Sequence, residues 1–435
     1  MHTKALRYVL FSLIALFLLG LAWWYFFLNA RIESIEQRDS ARGLDEPAPL
    51  FRNTTGSTSG NFLRTSEGTA ATTTAETKAA PDMWQISKTP VAGALFLRNG
   101  DRERLYFAER GTGYVFEADP ETGSIVRLTN RLFPKTYGAA FAARGGVMLL
   151  SLDESGNSIT FVGAMAEPVA TSTKESATST KASSSEAPLS ISGLSLPDDV
   201  STLAVNPYSR ELFILGRVAS GGTSGIRSSW DGKKRIKLFS SSLTNWRPVF
   251  LDDGRTFITQ NAADGVAGFA YEVKSDGTLS AILRNIPGLS FLPKSSSSAH
   301  LWSSSAGGVV SLFARMSGTD STVELSLRTF ADKCVWAPEK APIIYCAVPQ
   351  ETPRGLLDNW LRGAAHTSDD WWRVNVSTGE VDLVYAARAN EPLDVLDPMI
   401  DAAGKNIAFA NTRDNSLWNL RISENKEDET GAARQ

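Results

Sequence analysis

Arg247–Gln260 reads RPVFLDDGRTFITQ, and Ala270–Leu283 follows with AYEVKSDGTLSAIL. Each is a short apolar run, a polar turn centred on Asp-Gly, and a second apolar run. Asp-Gly between β-branched and aromatic residues signals a hairpin, because glycine supplies the positive φ that a tight turn needs. Two hairpins in succession make a four-stranded antiparallel unit. The first hairpin returns along the chain as GALFLRNGDRERLYFAE, GAAFAARGGVMLLS, TLAVNPYSRELFILG, LSFLPKSSSSAHLWSS, CVWAPEKAPIIYCAV and DPMIDAAGKNIAFAN. Its turns fall near Gly100, Gly145, Ser209, Gly254, Ser296, Lys340 and Gly404, at spacings of 45, 64, 45, 42, 44 and 64. The two long spacings hold a Ser/Thr tract and an insertion, and removing about 20 residues from each restores the period. Strand signals repeating every ~40–50 residues point to a β-propeller.

The second hairpin recurs as VFEADPETGSIVRL and WWRVNVSTGEVDLVY. The expected fold class is therefore all-β, a single propeller of seven four-stranded blades. Six or eight blades are the alternatives, because the fifth repeat is weak. The last repeat ends at Ser416–Ile422 (SLWNLRI), its third strand, and the spare segment Met83–Ser87 (MWQIS) can supply the missing outer strand.

The N-terminal region has a different composition. Val9–Leu28 (VLFSLIALFLLGLAWWYFFL) carries no charge, and Arg7 and Arg31 bracket it. About 20 apolar residues suffice to cross a bilayer core, and Trp23, Trp24 and Tyr25 suit its interface. No small-residue cleavage site follows, so an uncleaved transmembrane helix is expected rather than a signal peptide. The domain plan read from the chain is a short cytoplasmic tail at 1–8, a membrane helix at 9–28, and a disordered Ser/Thr/Ala-rich stalk at 29–82. The propeller follows at 83–423, with loop insertions at 167–188 and 350–370, and a flexible tail closes the chain at 424–435. This plan places the protein in the cell membrane as a single-pass form with the propeller outside the cytoplasm.

Tyr114–Asn130 (YVFEADPETGSIVRLTN) resembles the outer hairpin of TolB-like bacterial propeller repeats, a WD40-like class: strand, Asp, a turn with Gly, strand, Leu-Thr. Val249–Thr259 resembles the inner hairpin of that class. The likeness spans about residues 83–423, and together with residues 9–28 it implies a membrane-anchored form of the family. Such repeats carry structure rather than a catalytic signature, so the resemblance transfers no functional residues.

Composition excludes several functions. Lys and Arg total 44 against 47 Asp and Glu, for a net charge of −3, so no net positive field exists to hold nucleic acid. Two cysteines cannot build an all-cysteine zinc site, and His2, His300 and His366 are scattered. The chain has no Gly-x-Ser-x-Gly elbow. Asp119-Pro120-Glu121-Thr122-Gly123 resembles a turn of quinone-binding propellers but lacks the Trp that follows there, and it reads as turn chemistry. Ser151–Phe161 resembles a stretched Asp-box turn, which is also structural. No catalytic, cofactor-binding or metal-ligating constellation is legible, so the sequence gives no cofactor and leans away from an enzyme.

Cys334 and Cys346 flank one hairpin symmetrically about Lys340. Paired across two strands, they would suit a structural disulfide; a redox pair or two buried thiols are the alternatives. In a propeller, loops entering each innermost strand and loops joining second to third strands share one face. That geometry gathers Arg110, Asp198, Asp199, Asp264, Asp369, Asp370, Asp394, Asp397 and Arg413 on a candidate binding face. Leu356, Leu357, Trp360, Leu361, Ala364 and Ala365 recur at helical spacing in the insertion, so Trp360 joins this face on a short amphipathic helix. The expected function is a membrane-anchored scaffold that binds a protein or peptide of the bacterial cell envelope. The alternative is an envelope hydrolase that cleaves glycans or esters with carboxylates at the channel mouth.

Overall fold

The computed structural model describes residues 82–99, 102–166, 188–197, 200–219 and 221–422. A lone strand, β1 (Met83–Ser87), comes first. Blade one is β2 (Val91–Asn99), β3 (Arg102–Glu109), β4 (Val115–Ala118) and β5 (Ile125–Arg127). Blade two is β6 (Thr136–Ala142), β7 (Gly146–Leu152), β8 (Ser158–Ala166) and β9 (Ser190–Ser195). Blade three is β10 (Val200–Asn206), β11 (Glu211–Arg217), β12 (Thr223–Ser229) and β13 (Ile236–Ser241). Blade four is β14 (Trp246–Phe250), β15 (Thr256–Gln260), β16 (Ala267–Val273) and β17 (Leu279–Pro287). Blade five is β18 (Ser290–Pro293), β19 (His300–Ala306), β20 (Val309–Arg315) and β21 (Thr322–Leu325). Blade six is β22 (Cys334–Trp336), β23 (Ile343–Pro349), β24 (Asp369–Asn375) and β25 (Val381–Tyr385), with helix α1 (Leu356–Leu361) between β23 and β24. Blade seven is β26 (Val395–Ile400), β27 (Asn406–Asn411) and β28 (Leu417–Arg421), and β1 is its fourth strand.

Every pairing within the blades is antiparallel, and in blades one to six it follows chain order, so each of these is two hairpins laid side by side. The hairpin at Gly254 shows how the sequence dictates the turn. Gly254 takes φ +88°, its amide donates to the Leu251 carbonyl, and Asp253 accepts the Arg255 amide at 3.0 Å. The seventh blade closes the ring: Met83 pairs with Leu420 and Trp84 with Asn419. The short β18, four residues long, explains why the fifth repeat is faint in the sequence.

The core is divided among the seams between blades, because each twisted sheet buries both faces against its neighbours. Phe213 and Leu215 of blade three meet Trp246, Phe250 and Ile258 of blade four. Trp371 and Tyr345 of blade six meet Phe409 and Trp418 of blade seven. At the closing seam, Ile86 of β1 packs with Leu417 of blade seven and Phe96, Leu105 and Phe107 of blade one. Side chains of this size gain ~1.5–3 kcal/mol each from burial, so each seam contributes heavily to the ring.

The all-β, seven-bladed reading stands, but its membrane component is corrected. The expected span at 9–28 and, but for Asp82, the stalk at 29–82 lie outside the described residues, as do the tract from 167 to 187 and the tail at 424–435. Among the described residues no helix is long and apolar enough to cross a membrane: α1 has six residues, whereas a span needs about 20. The anchored form of the family, the membrane partner and the single-pass, extracytoplasmic localisation therefore find no support in the structure.

Candidate functional site

The innermost strands β2, β6, β10, β14, β18, β22 and β26 all begin at one end of the ring, the upper face. Loops joining second to third strands reach the same face. Four blades place a polar side chain around the channel mouth there. Arg247 of β14 pairs with Asp332, which sits in a 3-10 turn (Ala331–Lys333) just before β22. Ser290, the first residue of β18, donates to Asp332 at 2.6 Å. Asp397 of β26 completes the group, in a left-handed conformation where the β26–β27 register shifts.

Electrostatics tie these groups together. Asp332 loses hydration by burial, but the Arg247 guanidinium, the Ser290 hydroxyl and the Lys333 charge together outweigh that loss and hold its carboxyl below the usual range. Asp397 keeps contact with solvent. The protein around it still strips part of its hydration, and this raises its pKa despite the attraction of Arg247.

Beneath the mouth lies a buried ionic knot. Lys333, Asp369 and Asp394 are each fully buried. Lys333 Nζ contacts Asp369 Oδ2 at 2.6 Å, Asp394 Oδ1 at 2.7 Å, Thr367 Oγ1 at 2.9 Å and the Val395 carbonyl at 3.2 Å. The Trp360 ring covers it, with Nζ 4.7 Å from the ring centroid. The two carboxylates differ in their surroundings. Asp394 also accepts hydrogen bonds from Trp360 Nε1, Thr367 Oγ1 and Thr412 Oγ1. His366 Nδ1 lies 3.1 Å from its other oxygen. Burial alone would raise Asp394, but Lys333 and the hydroxyl donors bring it down to about 2. Asp369 accepts the Val395 amide on Oδ2, and its Oδ1 is buried with no hydrogen-bond partner. Burial there prevails over Lys333 and raises the Asp369 pKa.

Helix α1 caps this knot. Leu356, Leu357 and Trp360 bury against Phe330, Val310, Ala262 and Leu396, and Trp360 stacks on Phe330 at 5.4 Å. Asp358 accepts the Asp264 amide at 2.9 Å, and Asp264 in turn accepts from Ser305 Oγ at 2.6 Å. The helix is thus pinned across blades four to seven.

The structure places the described residues of the expected face on upper-face elements, but gives many of them internal work. Asp264, Trp360, Asp369 and Asp394 hold the knot and its cap. Asp370 accepts from Gln350 Nε2 and the Ala387 amide. Arg413 donates to the Thr367 carbonyl at 2.9 Å, and Arg110 donates to the Tyr137 carbonyl at 3.3 Å. Asp397 stands at the channel mouth. Asp198 and Asp199 lie outside the described residues. The hydrolase alternative is corrected here. It needs carboxylates open to substrate at the mouth, whereas Asp369 and Asp394 are sealed against Lys333 and Asp332 is taken by Arg247. Cys334 and Cys346 form a disulfide across β22 and β23, with Cα atoms 4.1 Å apart.

Sequence reasoning missed Arg247, Asp332, His366, Thr367, Thr412 and above all Lys333. A signal was present: in Phe330–Trp336 (FADKCVW) an Asp-Lys pair leads into an innermost strand amid apolar residues, where a charge persists only if paired.

No protein-family model matches the chain, and no curated protein matches it. Among solved structures it is similar to virginiamycin B lyase from Staphylococcus aureus, at 11% identity, covering 78% of this chain and 98% of that one with a TM-score of 0.46. It is also similar to the WD40 domain of Pan2 from Neurospora crassa, at 12% identity over 77% and 92% of the two chains with a TM-score of 0.46. TolB from Acinetobacter baumannii matches at 13% identity over 76% and 79%, with a TM-score of 0.38.

Proposed function

We propose that this chain is a propeller that binds a protein or peptide partner on its upper face, around the channel mouth. The supporting observation is a set of exposed apolar side chains beside the polar centre of the upper face. Of the thirteen large ones exposed among the described residues, Leu132, Tyr137, Leu243, Val266, Val309 and Leu361 lie on upper-face elements. Tyr208 lies at the opposite face, Ile125, Val126, Ile236 and Val323 stand near that end of outer strands, and Leu194 and Leu383 sit elsewhere on outer strands. Exposed apolar groups beside a rigid polar centre suit a partner surface. Arg247 and Asp397 at the mouth supply charges for orientation, and α1 gives the surface a fixed shape.

The test is crosslinking and mass spectrometry in extracts of the source organism. It compares the wild type with a Val266→Asp/Val309→Asp/Leu361→Asp variant and a Tyr208→Asp control. A partner lost in the triple variant and kept in the control supports upper-face docking. A partner indifferent to the triple variant, or lost equally in the control, removes it.

A further inference from the structure

The ionic knot has more acceptors than its cation can serve. Four oxygens lie within hydrogen-bond reach of Lys333 Nζ, and an ammonium has three protons. Burying one ammonium and two carboxylates together is also costly, since desolvation competes with their attraction. A covalent product that cancels two of the three charges relieves both problems.

We propose that Lys333 and Asp369 form an intramolecular isopeptide bond, with Asp394 as the proton-transfer group, and that the ion pair described above is its reactant state. The reacting atoms are in place. With Nζ 2.6 Å from Asp369 Oδ2, an ordinary hydrogen-bond angle sets Nζ about 3.3 Å from Cγ, within the near-attack range. The roles of the two carboxyls follow from their surroundings. Asp394 stays ionised under its many donors, so it can take up a proton and pass it on without holding it. Asp369 is the carboxyl whose pKa is raised, and a protonated carboxyl is the better electrophile.

The step balances without any outside reagent. One ammonium proton of Lys333 passes by way of Asp394 to Asp369 Oδ1, leaving a neutral amine beside a carboxylic acid whose Oδ2 is the carbonyl oxygen. The Nζ lone pair attacks Cγ, and the negative charge that develops on Oδ2 is met by the Val395 amide, 2.8 Å away. Asp394 takes a proton from Nζ and returns it to the departing Oδ1, which leaves as water. Oδ1 has no partner in the reactant state, so its departure breaks no hydrogen bond. The product amide keeps Oδ2 on the Val395 amide, and its single N–H can face Asp394. No redox change occurs: an ammonium and a carboxylate become an amide and one water.

Tryptic mapping of the folded, purified wild-type protein under reducing conditions decides the matter. A bond at Lys333 blocks cleavage there, so residues 329–340 emerge joined to residues 363–373. The joined species is lighter than the two peptides together by one water, about 18 Da. Asp394→Asn, shown to be folded by its circular dichroism, should yield the two segments separately with Lys333 cleaved. Asp369→Ala should do the same. Recovery of free 363–373 together with cleavage at Lys333 in the wild type overturns the proposal, whether or not any variant folds. A linked species persisting undiminished in Asp394→Asn overturns the mechanism assigned to that residue.

Discussion

The disulfide offers a perturbation whose size can be worked out in advance. Replacing Cys334 and Cys346 together by alanine removes a cross-link between residues 12 apart in sequence. In the chain-entropy account, a loop of that length confines the unfolded chain by about 3 kcal/mol. Spread over a ring of roughly 340 residues, with ~2 cal/mol/K of unfolding entropy each, that lowers the melting temperature by about 4 °C. Both sulfurs are buried, at 2% and 0% exposure of their residues, so a reductant reaches them only when blade six opens. Calorimetry of the wild type and the double variant, each with and without dithiothreitol, reads the thermodynamic part. The wild type melted in reductant should approach the variant, and the variant should not respond. Thiol labelling of the native protein in dithiothreitol at 25 °C reads the kinetic part, and it should lag far behind labelling in denaturant. A variant that melts with the wild type, or native protein reduced as fast as an exposed disulfide, refutes the reasoning.

Three further outcomes follow from specific contacts. A Cβ on Gly93 would lie 2.2 Å from the Ala139 carbonyl oxygen on the neighbouring blade, whereas one on Gly111 meets nothing within 4 Å. Gly93→Ala should therefore cost ~1–3 kcal/mol or more in urea unfolding, with Gly111→Ala near neutral. Ile86→Asp puts a carboxylate into the closing seam and should destabilise the ring by ~3 kcal/mol or more, whereas Val323→Asp on an exposed outer strand should change the urea midpoint little. Burial lowers the pKa of His300, so its contribution is fully present above the unfolded value, ~6.5, and is lost as pH falls below it. His300→Phe should flatten stability between pH 7 and 5, leaving the Asp394 contribution to disappear only as pH drops from ~4 towards 2.

The fold was legible because propeller repeats write their turns into the chain. Asp-Gly at 253–254 and the returning apolar pairs mark hairpins whose geometry depends on local chemistry alone. Met83–Ser87 was legible for a different reason: four strands per blade is a counting rule, and one blade came up short. The chemistry of the upper face was only half legible. Chain topology placed Asp264, Asp369 and Asp394 on that face, but a sequence does not show which charges are consumed internally. Lys333 comes 36 residues before Asp369 and 61 before Asp394, and only the packing of blades six and seven brings them together. Trp360 was legible as an apolar helix residue, while its indole N–H bond to Asp394 depends on where α1 lands. Residues 9–28 read as a membrane span from their apolar run, the arginines that bracket it and the aromatic residues at its end, and they lie outside the described residues.

The closing strand also bears on how the protein is made. Met83 pairs with Leu420, 337 positions later. At ~5–20 residues per second, synthesis of that interval takes about 20–70 s. During this time β1 has no strand to join, and six blades can assemble while the seventh is still incomplete. The free edge of β28, once made, would be open to any extended chain nearby until β1 reaches it. Competition at this seam between a chain's own first strand and that of a neighbour on the same message would yield strand-exchanged pairs, so the yield of monomer should fall as ribosomes crowd the message.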